Sequence, residues 1–448
     1  MAMVVKNNLS AKNTLNQLDK NDKAAAKDLK KLASGRKINS AADDASGYSI
    51  SEKMAVQIRS LEQDNANTQN GTSMLKTAEG AVSATVDLLK TLKEKAINAA
   101  NDTNTDADRT TIQKEVDQAL DQIDDNANVS FNGQTLIDGS KNDTVIADGT
   151  YTHLSNENFA EGTNEKTRIT KLKSKTGEKV LILPGDKVTV SYIKNGKTET
   201  NTLDIIEGKK GFTRGQNAFR FGDIFDWDPC RDDLNLTDFS TTSKIGTDQF
   251  GDDVNTISGQ SAISYHAKEP GIAGQIAGLT VVVTDHYGNP RSSTNKVLDD
   301  FRETIRAQDP SEDNAIDLQV GTKANQTVRM GFTDLRATAL GLKGVDGNTI
   351  QLTSQLAANT AINAFDNAVS KALDMQTKIG AVQSRLAYTS SNIVTANENV
   401  TASQSAIADA DMAKEMTSFT KNNILQQAAQ SMLAQANQSS SSVLSLLQ

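Results

Sequence analysis

Residues 379–410 read IGAVQSRLAYTSSNIVTANENVTASQSAIADA. A large aliphatic side chain recurs every seven positions, at Ile379, Leu386, Ile393, Val400 and Ile407, with Val382, Thr389, Ala396, Ser403 and Ala410 between them. A seven-residue recurrence keeps one stripe of a helix facing a partner helix, and small members of the stripe permit close approach. The stretch predicts a long helix paired along its length. A further helix is expected from about Asp411. Its end, ILQQAAQSMLAQANQSSSSVLSLLQ (424–448), places Val443, Leu444, Leu446 and Leu447 within the last six positions. Chain ends are ordinarily polar and frayed unless something ties them down. This one is expected to be covered by a partner.

The other end of the chain follows the same plan. Val4, Asn8, Ala11, Leu15, Leu18, Asp22, Ala25, Leu29 and Leu32 step by alternating fours and threes, again a heptad stripe, with two polar members. Gly35 is expected to end that helix. Ser40 and Asp43 have capping-box spacing, and Asp44 is also favourable at a helix start, so a second long helix is predicted from there to about Ala100. Its stripe runs through Met54, Ile58, Leu61, Asn65, Thr68, Thr72, Leu75, Glu79, Val82, Val86 and Leu89. After NDTNTDAD a shorter helix carries Ile112, Val116, Ala119 and Ile123 on one face. In VSFNGQTLIDGS, the pair Asn132-Gly133 between apolar residues predicts a tight β-hairpin.

Between these arms, from about Ser140 to Asp317, the chain turns rich in Gly, Asn, Thr, Asp and Lys. KVTVSYIKNGKTET reads as a hairpin turning at Asn195-Gly196, and TVVVTDHYGNP as a strand followed by a turn. The expected fold is therefore mainly α: paired long terminal helices in a coiled-coil bundle with one β-hairpin, interrupted by a β-rich (α+β) central insertion.

Composition excludes several functions. With 448 residues, 4% aromatic and 37% hydrophobic, the chain suits long helices with narrow seams better than a large enzyme core. A net charge of -9 argues against nucleic acid as a partner. No run approaches the length of a membrane span, and the short apolar run in MAMVVKNNLS is no signal-peptide core, so no membrane partner is expected. The single Cys230 cannot form an internal disulfide. His153, His266 and His286 form no metal spacing and are expected to be ordinary polar residues. The acidic stretch DIFDWDPCRDD, with Asp223, Asp226, Asp228 and Asp232, lacks the glycine and closing Glu of a calcium loop and reads as a solvated loop around Trp227. Cys230 has no visible base, and the glycines of GIAGQIAGL have no phosphate-loop spacing. No catalytic residue, metal or cofactor is expected.

LASGRKINSAADDASGYSISEKM (32–54) and TQNGTSMLKTAEGAV (68–82) closely resemble the N-terminal arm of bacterial flagellin. FNGQTLIDG (131–139) resembles its hairpin, and IDLQVGTKANQTVRMGFTDLRATALGL (316–342) the strand that returns from its variable insertion. IGAVQSRL, ADADMAKEM and the segment 424–448 resemble its C-terminal arm. Arg36 and Ala408 depart from the pattern, standing where many relatives have Leu or Met and Glu respectively.

The resemblance implies a subunit that polymerises into the flagellar filament for motility, passes unfolded through a type III channel and ends outside the cell. It implies as partners further copies of the chain, an export chaperone on the C-terminal helix, and hook-associated and cap proteins. The domains implied are an inner-tube arm (1–40), two halves of a helical shell (41–139 and 317–408), an outer insertion (140–316) and a second inner-tube arm (409–448). Packing between subunits is expected from Val4, Leu15, Leu18, Leu29, Leu32, Ile424, Leu425, Met432, Leu433, Val443, Leu444, Leu446 and Leu447. A hook-filament junction protein is the alternative reading, as is a filament subunit whose insertion is also an adhesin or enzyme. Flagellins sensed by the host Toll-like receptor share a QRVRELA-type helical patch; here the stretch is KTLKEKA (90–96). Lys90, Thr91, Glu94 and Lys95, with Ile112 and Glu115 beside them, would face the receptor. Thr91 in place of Arg and Lys95 in place of Leu imply weakened binding, with the Lys95 stem lying along the partner and its ammonium in water.

Overall fold

The computed structural model describes residues 8–146, 148–163, 167–205, 221–224, 233–236, 244–256 and 262–445. The fold is mainly helical with an α+β insertion, and the chain divides into two compact units.

The first unit comprises Met1–Gln69, Gln319–Gln326 and Ala387–Gln448. Helix α1 (Leu9–Ser34) starts at Asn8, whose side chain accepts a hydrogen bond from the Ala11 amide, and stops at Gly35, whose φ of 67° is left-handed. Helix α6 (Met412–Ser445) packs along it. Between α1 and the next helix the backbone pairs with the approach to α6: the Ala410 amide donates to the Gly35 carbonyl at 2.9 Å and the Lys37 amide to the Ala408 carbonyl at 2.7 Å. The two departures from the family pattern, Arg36 and Ala408, both lie in this paired stretch.

Helix α2 (Ala45–Ala99) does not begin with the Ser40–Asp43 capping box. Asp43 folds back on Asn39 and Ser40 in a separate turn, and its carboxyl is held down to about 2 chiefly by Lys27, which reaches it at 3.0 Å. The cap is Asp44, which accepts from the Ser46 and Gly47 amides. In this unit α2 lies against the later part of helix α5 (Gln355–Ala408), with Leu61 and Ile393 buried and polar members of the stripe paired. Ser390 Oγ donates to Asn65 Oδ1 at 3.0 Å, and Gln404 Nε2 to the Ser51 carbonyl at 3.2 Å.

The second unit comprises Asn70–Leu318 and Thr327–Leu386. Here the α2 stripe widens into a core of Leu75, Val82, Val86, Leu89 and Leu92, all buried, because helix α3 (Asp106–Ala127) and the start of α5 share it. Helix α3 opens with a Thr105–Asp108 capping box. Its buried face is Val116, Leu120 and Ile123; Ala119 and Ile112, expected on that face, are half-buried. The hairpin β1 (Ser130–Phe131) to β2 (Gln134–Thr135) turns through Asn132 and Gly133 with both φ positive, as its sequence predicts.

The insertion occupies the same unit. Its strands are β3 (His153–Asn156), β4 (Lys187–Lys194), β5 (Lys197–Asp204), β6 (Leu234–Leu236), β7 (Lys244–Thr247), β8 (Asp253–Asn255), β9 (Ile263–Ala267), β10 (Ile276–Thr284) and β11 (Arg302–Ile305), with the short helix α4 (Ser292–Leu298). One sheet has the order β10-β4-β5 and another β11-β3-β9-β6; β7 and β8 form a hairpin, and β12 (Ile316–Gln319) pairs with β13 (Thr327–Met330). A single apolar core of Tyr192, Phe221, Tyr265, Val281 and their neighbours joins the two larger sheets. Strand β10 is buried on both faces rather than alternating. Its bulge at Gly278, φ 63°, brings the backbone so near α5 that a Cβ there would meet the Thr360 carbonyl at 2.4 Å. The insertion is thereby packed directly on α5.

Candidate assembly surface

The α1–α6 pair is antiparallel, as its contacts show. Asn8 Nδ2 donates to the Ala436 carbonyl at 3.1 Å, Asn422 Nδ2 to Asp28 Oδ2 at 2.7 Å, and Lys31 Nζ meets Glu415 Oε1 at 3.1 Å. Along α1 one covered row runs through Ala11, Thr14, Leu18, Asn21, Ala25, Asp28 and Leu32, with Ala24 and Lys31 half-buried beside it. On α6 the facing row runs through Phe419, Asn422, Gln426, Ala429, Leu433 and Ala436, with Glu415, Ser418 and Asn423 half-buried beside it. Both sets keep heptad spacing, but the α1 stripe is turned by one residue from the one read in the sequence. Thr14, Asn21 and Asp28 take the places assigned to Leu15, Asp22 and Leu29.

The physical reason is local. Small and amide side chains let the helices approach and find partners across the seam, as Asn422 does with Asp28, whereas a pair of leucines facing an Asn and a Gln would strand those polar groups. Leu15 and Leu29 are left 52% and 53% exposed. On α6, Ile424 and Met432 are 60% and 64% exposed, and Leu425 is also exposed. Of the other expected packing residues, Leu18, Leu32 and Leu433 are half-buried within the pair. Val4, Leu446 and Leu447 lie outside the described residues, and for Val443 and Leu444 only the helical backbone is described. The arrangement holds two helices together by a narrow seam of small, polar and half-buried aliphatic side chains, while Leu15, Leu29, Ile424 and Met432 remain in water.

The second candidate surface joins α2 and α3. Lys90 is exposed and pairs with Asp87 at 3.2 Å, Thr91 Oγ1 donates to the Asp87 carbonyl, and Glu94 is exposed. Lys95 pairs at the surface, where Nζ lies 2.5 Å from Glu115 Oε2 and both side chains stay more than a third exposed. The spacing between two helices hid this pairing from the sequence. Ile112 is half-buried beside it.

Two buried clusters join residues far apart in sequence. Lys371 of α5 lies 2.7 Å from Glu303 of β11, with side chains only 6% and 4% exposed, at the floor of a cleft of ≈ 1300 Å³. Burial brings the Lys371 ammonium down to about 8 against the opposing pull of Glu303, while the charge of nearby Arg306 adds to the lowering. The contact is charge on charge, since neither group has a well-aligned hydrogen bond. The histidines also differ from expectation. His286 is exposed, as an ordinary polar residue would be, but His153 is buried and His266 faces it across β3 and β9. Trp227, Cys230 and the acidic stretch from Asp226 to Asp232 lie outside the described residues. Among the described residues there is no metal-binding cluster and no helix long and apolar enough to cross a membrane.

Residues 5–142 match the family model of the bacterial flagellin N-terminal helical region, and residues 362–447 that of the bacterial flagellin C-terminal helical region. The chain is similar to a flagellin of Clostridium tyrobutyricum, 32% identical over 440 residues that span 97% of this chain and 99% of that one. It is 28% identical to a flagellin of Bacillus subtilis over 465 residues, 99% of this chain and 100% of the other. Among solved structures, FliC from Burkholderia pseudomallei aligns at 16% identity over 70% of this chain and 99% of that chain, with a TM-score of 0.25. With matched helical regions at both ends, and near-full-length identity above 30% to flagellins, the chain belongs to the bacterial flagellin family.

Proposed function

We propose that this chain is the structural subunit of a flagellar filament and that the exposed aliphatic side chains of α1 and α6 are its lattice contacts. The observation that carries the second part is the division of labour on these helices: a mixed row of small, polar and aliphatic side chains faces the intramolecular partner, while Leu15, Leu29, Ile424 and Met432 face outward. A surface of this kind is covered by other copies, through heterologous contacts that do not close into a ring. Each aliphatic side chain buried on assembly contributes roughly 1.5–3 kcal/mol. Deleting residues 424–448 should leave a soluble monomer that does not polymerise. Normal filaments in electron micrographs of the truncated protein would refute the assignment.

The junction-protein reading is not favoured, because both matched family models are those of flagellin. The finer reading assigns 1–40 and 409–448 to an inner tube, 41–139 and 317–408 to a shell, and 140–316 to an outer domain. Val4, Leu18, Leu32, Leu425, Leu433, Val443, Leu444, Leu446 and Leu447 join the lattice contacts. The subunit acts outside the cell without catalytic activity, with hook-associated and cap proteins as neighbours and a chaperone on α6 before export. Binding to the host flagellin receptor through Lys90, Thr91, Glu94, Lys95, Ile112 and Glu115 is weakened. The support is that Lys95 and Glu115 neutralise each other within the patch, so docking must desolvate an ion pair.

A further inference from the structure

His153 and His266 are register partners on the central strands of the four-stranded sheet β11-β3-β9-β6. Directly opposed residues of an antiparallel pair project from the same face. Their rings meet edge to face with centroids 5.4 Å apart, and Tyr151 stacks on His266 at 5.7 Å. His153 is only 7% exposed, and Nδ1 of each ring is buried without a hydrogen-bond partner. The β7–β8 hairpin lies over His153. Gly246 of β7 comes so close that a Cβ there would stand 2.6 Å from His153 Cε1 and 2.8 Å from the Ile305 side chain.

We propose that this histidine pair is an acid-operated latch that holds the β7–β8 hairpin closed over the insertion sheet at neutral pH and releases it in mild acid. Charging the imidazole under the hairpin is opposed by its burial, against a backbone hydrogen bond to Ile245 of β7 that favours the charged form, and opening the hairpin restores water to the ring. The surrounding charges offer no alternative. On the hairpin itself Lys244 is taken by Asp253 at 2.5 Å. On β11, Glu303 is held by Lys371, Arg302 by Asp300, and Arg306 is a further cation. On the sheet, Tyr151 stacks on His266, and Asn235 of β6 is the register partner of His266. Each imidazolium would be the other's nearest like charge. Burial, with the charge of His266 adding to it, accordingly lowers His153 from 6.5 to about 4, and burial lowers His266 as well.

The sign follows from proton counts. Between about pH 6.5 and 4 the open hairpin binds a proton at His153 that the closed one does not, so acid favours opening. With those two values the opening constant rises about 70-fold from pH 7.5 to 4.5. Global stability would hide the effect. Asp299 is raised by burial from 3.8 to about 6, so over much of the same range it is protonated in the fold and ionised when unfolded, which offsets His153 in any whole-domain melt. The readout must therefore be local. Amide hydrogen exchange on the full chain, corrected for the intrinsic rate, should show protection in β7 and β8 falling by tens of fold between pH 7.5 and 4.5 while β4 and β5 stay unchanged. In a His153→Asn variant the hairpin's protection should no longer depend on pH. Should that variant fold poorly, the imidazole resonances of the unmodified protein decide instead. Titration of His153 coincident with loss of hairpin protection upholds the latch. Titration near 6.5 with the hairpin still protected, or equal acid sensitivity in His153→Asn, overturns it.

Discussion

At the scale of single residues, charge burial gives the sharpest expectations. Lys371→Ala would leave Glu303 in the interior without its counter-charge, which typically costs about 3–5 kcal/mol. Lys371→Met combined with Glu303→Gln removes both charges while keeping volume, and should cost far less. Denaturant melts of the two variants test this, and equal losses would show that packing rather than charge governs the site. The proposed receptor-facing patch offers a second test. Thr91→Arg with Lys95→Leu supplies the anchor types that hot spots favour and dissolves the Lys95–Glu115 pair. A gain of about 2.8 kcal/mol would be a hundredfold in affinity. A direct binding titration of monomer with receptor should show tightening; unchanged affinity would place the difference outside this patch.

At the scale of elements, α1 separates two kinds of contact that a sequence stripe merges. Leu15 and Leu29 are exposed in the isolated chain, so replacing both by Ala should shift monomer stability by only about 0.5 kcal/mol, since surface changes of this kind are small. The same pair, buried in a lattice, would each contribute about 2 kcal/mol. The critical concentration for polymerisation should therefore rise by several hundred-fold at unchanged melting temperature. A control is Ala25→Leu, which would force the α1–α6 seam apart, because Ala25 is buried there. The one-residue turn between the predicted stripe and the observed one follows from partner chemistry. Heptad spacing marks which period a helix keeps, but Asn21 and Asp28 lie one residue before Asp22 and Leu29, and only the partner helix decides which of the two rows is covered.

At the scale of the whole molecule, the insertion is built into the second unit rather than appended to it. Strand β10 packs its Gly278 bulge on α5, and Glu303 of β11 faces Lys371 of the same helix. Replacing residues 140–316 by a short linker would uncover that face and orphan the lysine. Polymerisation should survive, since the exposed aliphatic rows are on α1 and α6, but the filaments should melt at lower temperature. Adding Lys371→Met should recover part of the loss. A shortened protein that folds yet never polymerises would mean that the insertion itself makes required lattice contacts.

The sequence alone determined the long helices, because heptad recurrence, the Gly35 stop and the Asn132-Gly133 and Asn195-Gly196 turns are properties of neighbours along the chain. It also determined the class of the middle, whose turn-rich composition reads as β structure. What only the tertiary structure decided were contacts between residues far apart in sequence. His153 and His266 look like isolated polar residues until strand register sets them side by side. Lys371 lies on a helix that reads as continuous until Glu303 meets it. Strand β10 gives no alternation because both its faces are covered, and coverage belongs to the partner, not to the strand. Periodicity is local and therefore legible; the choice of which stripe is buried, and which charges are left to face each other, is made by the packing.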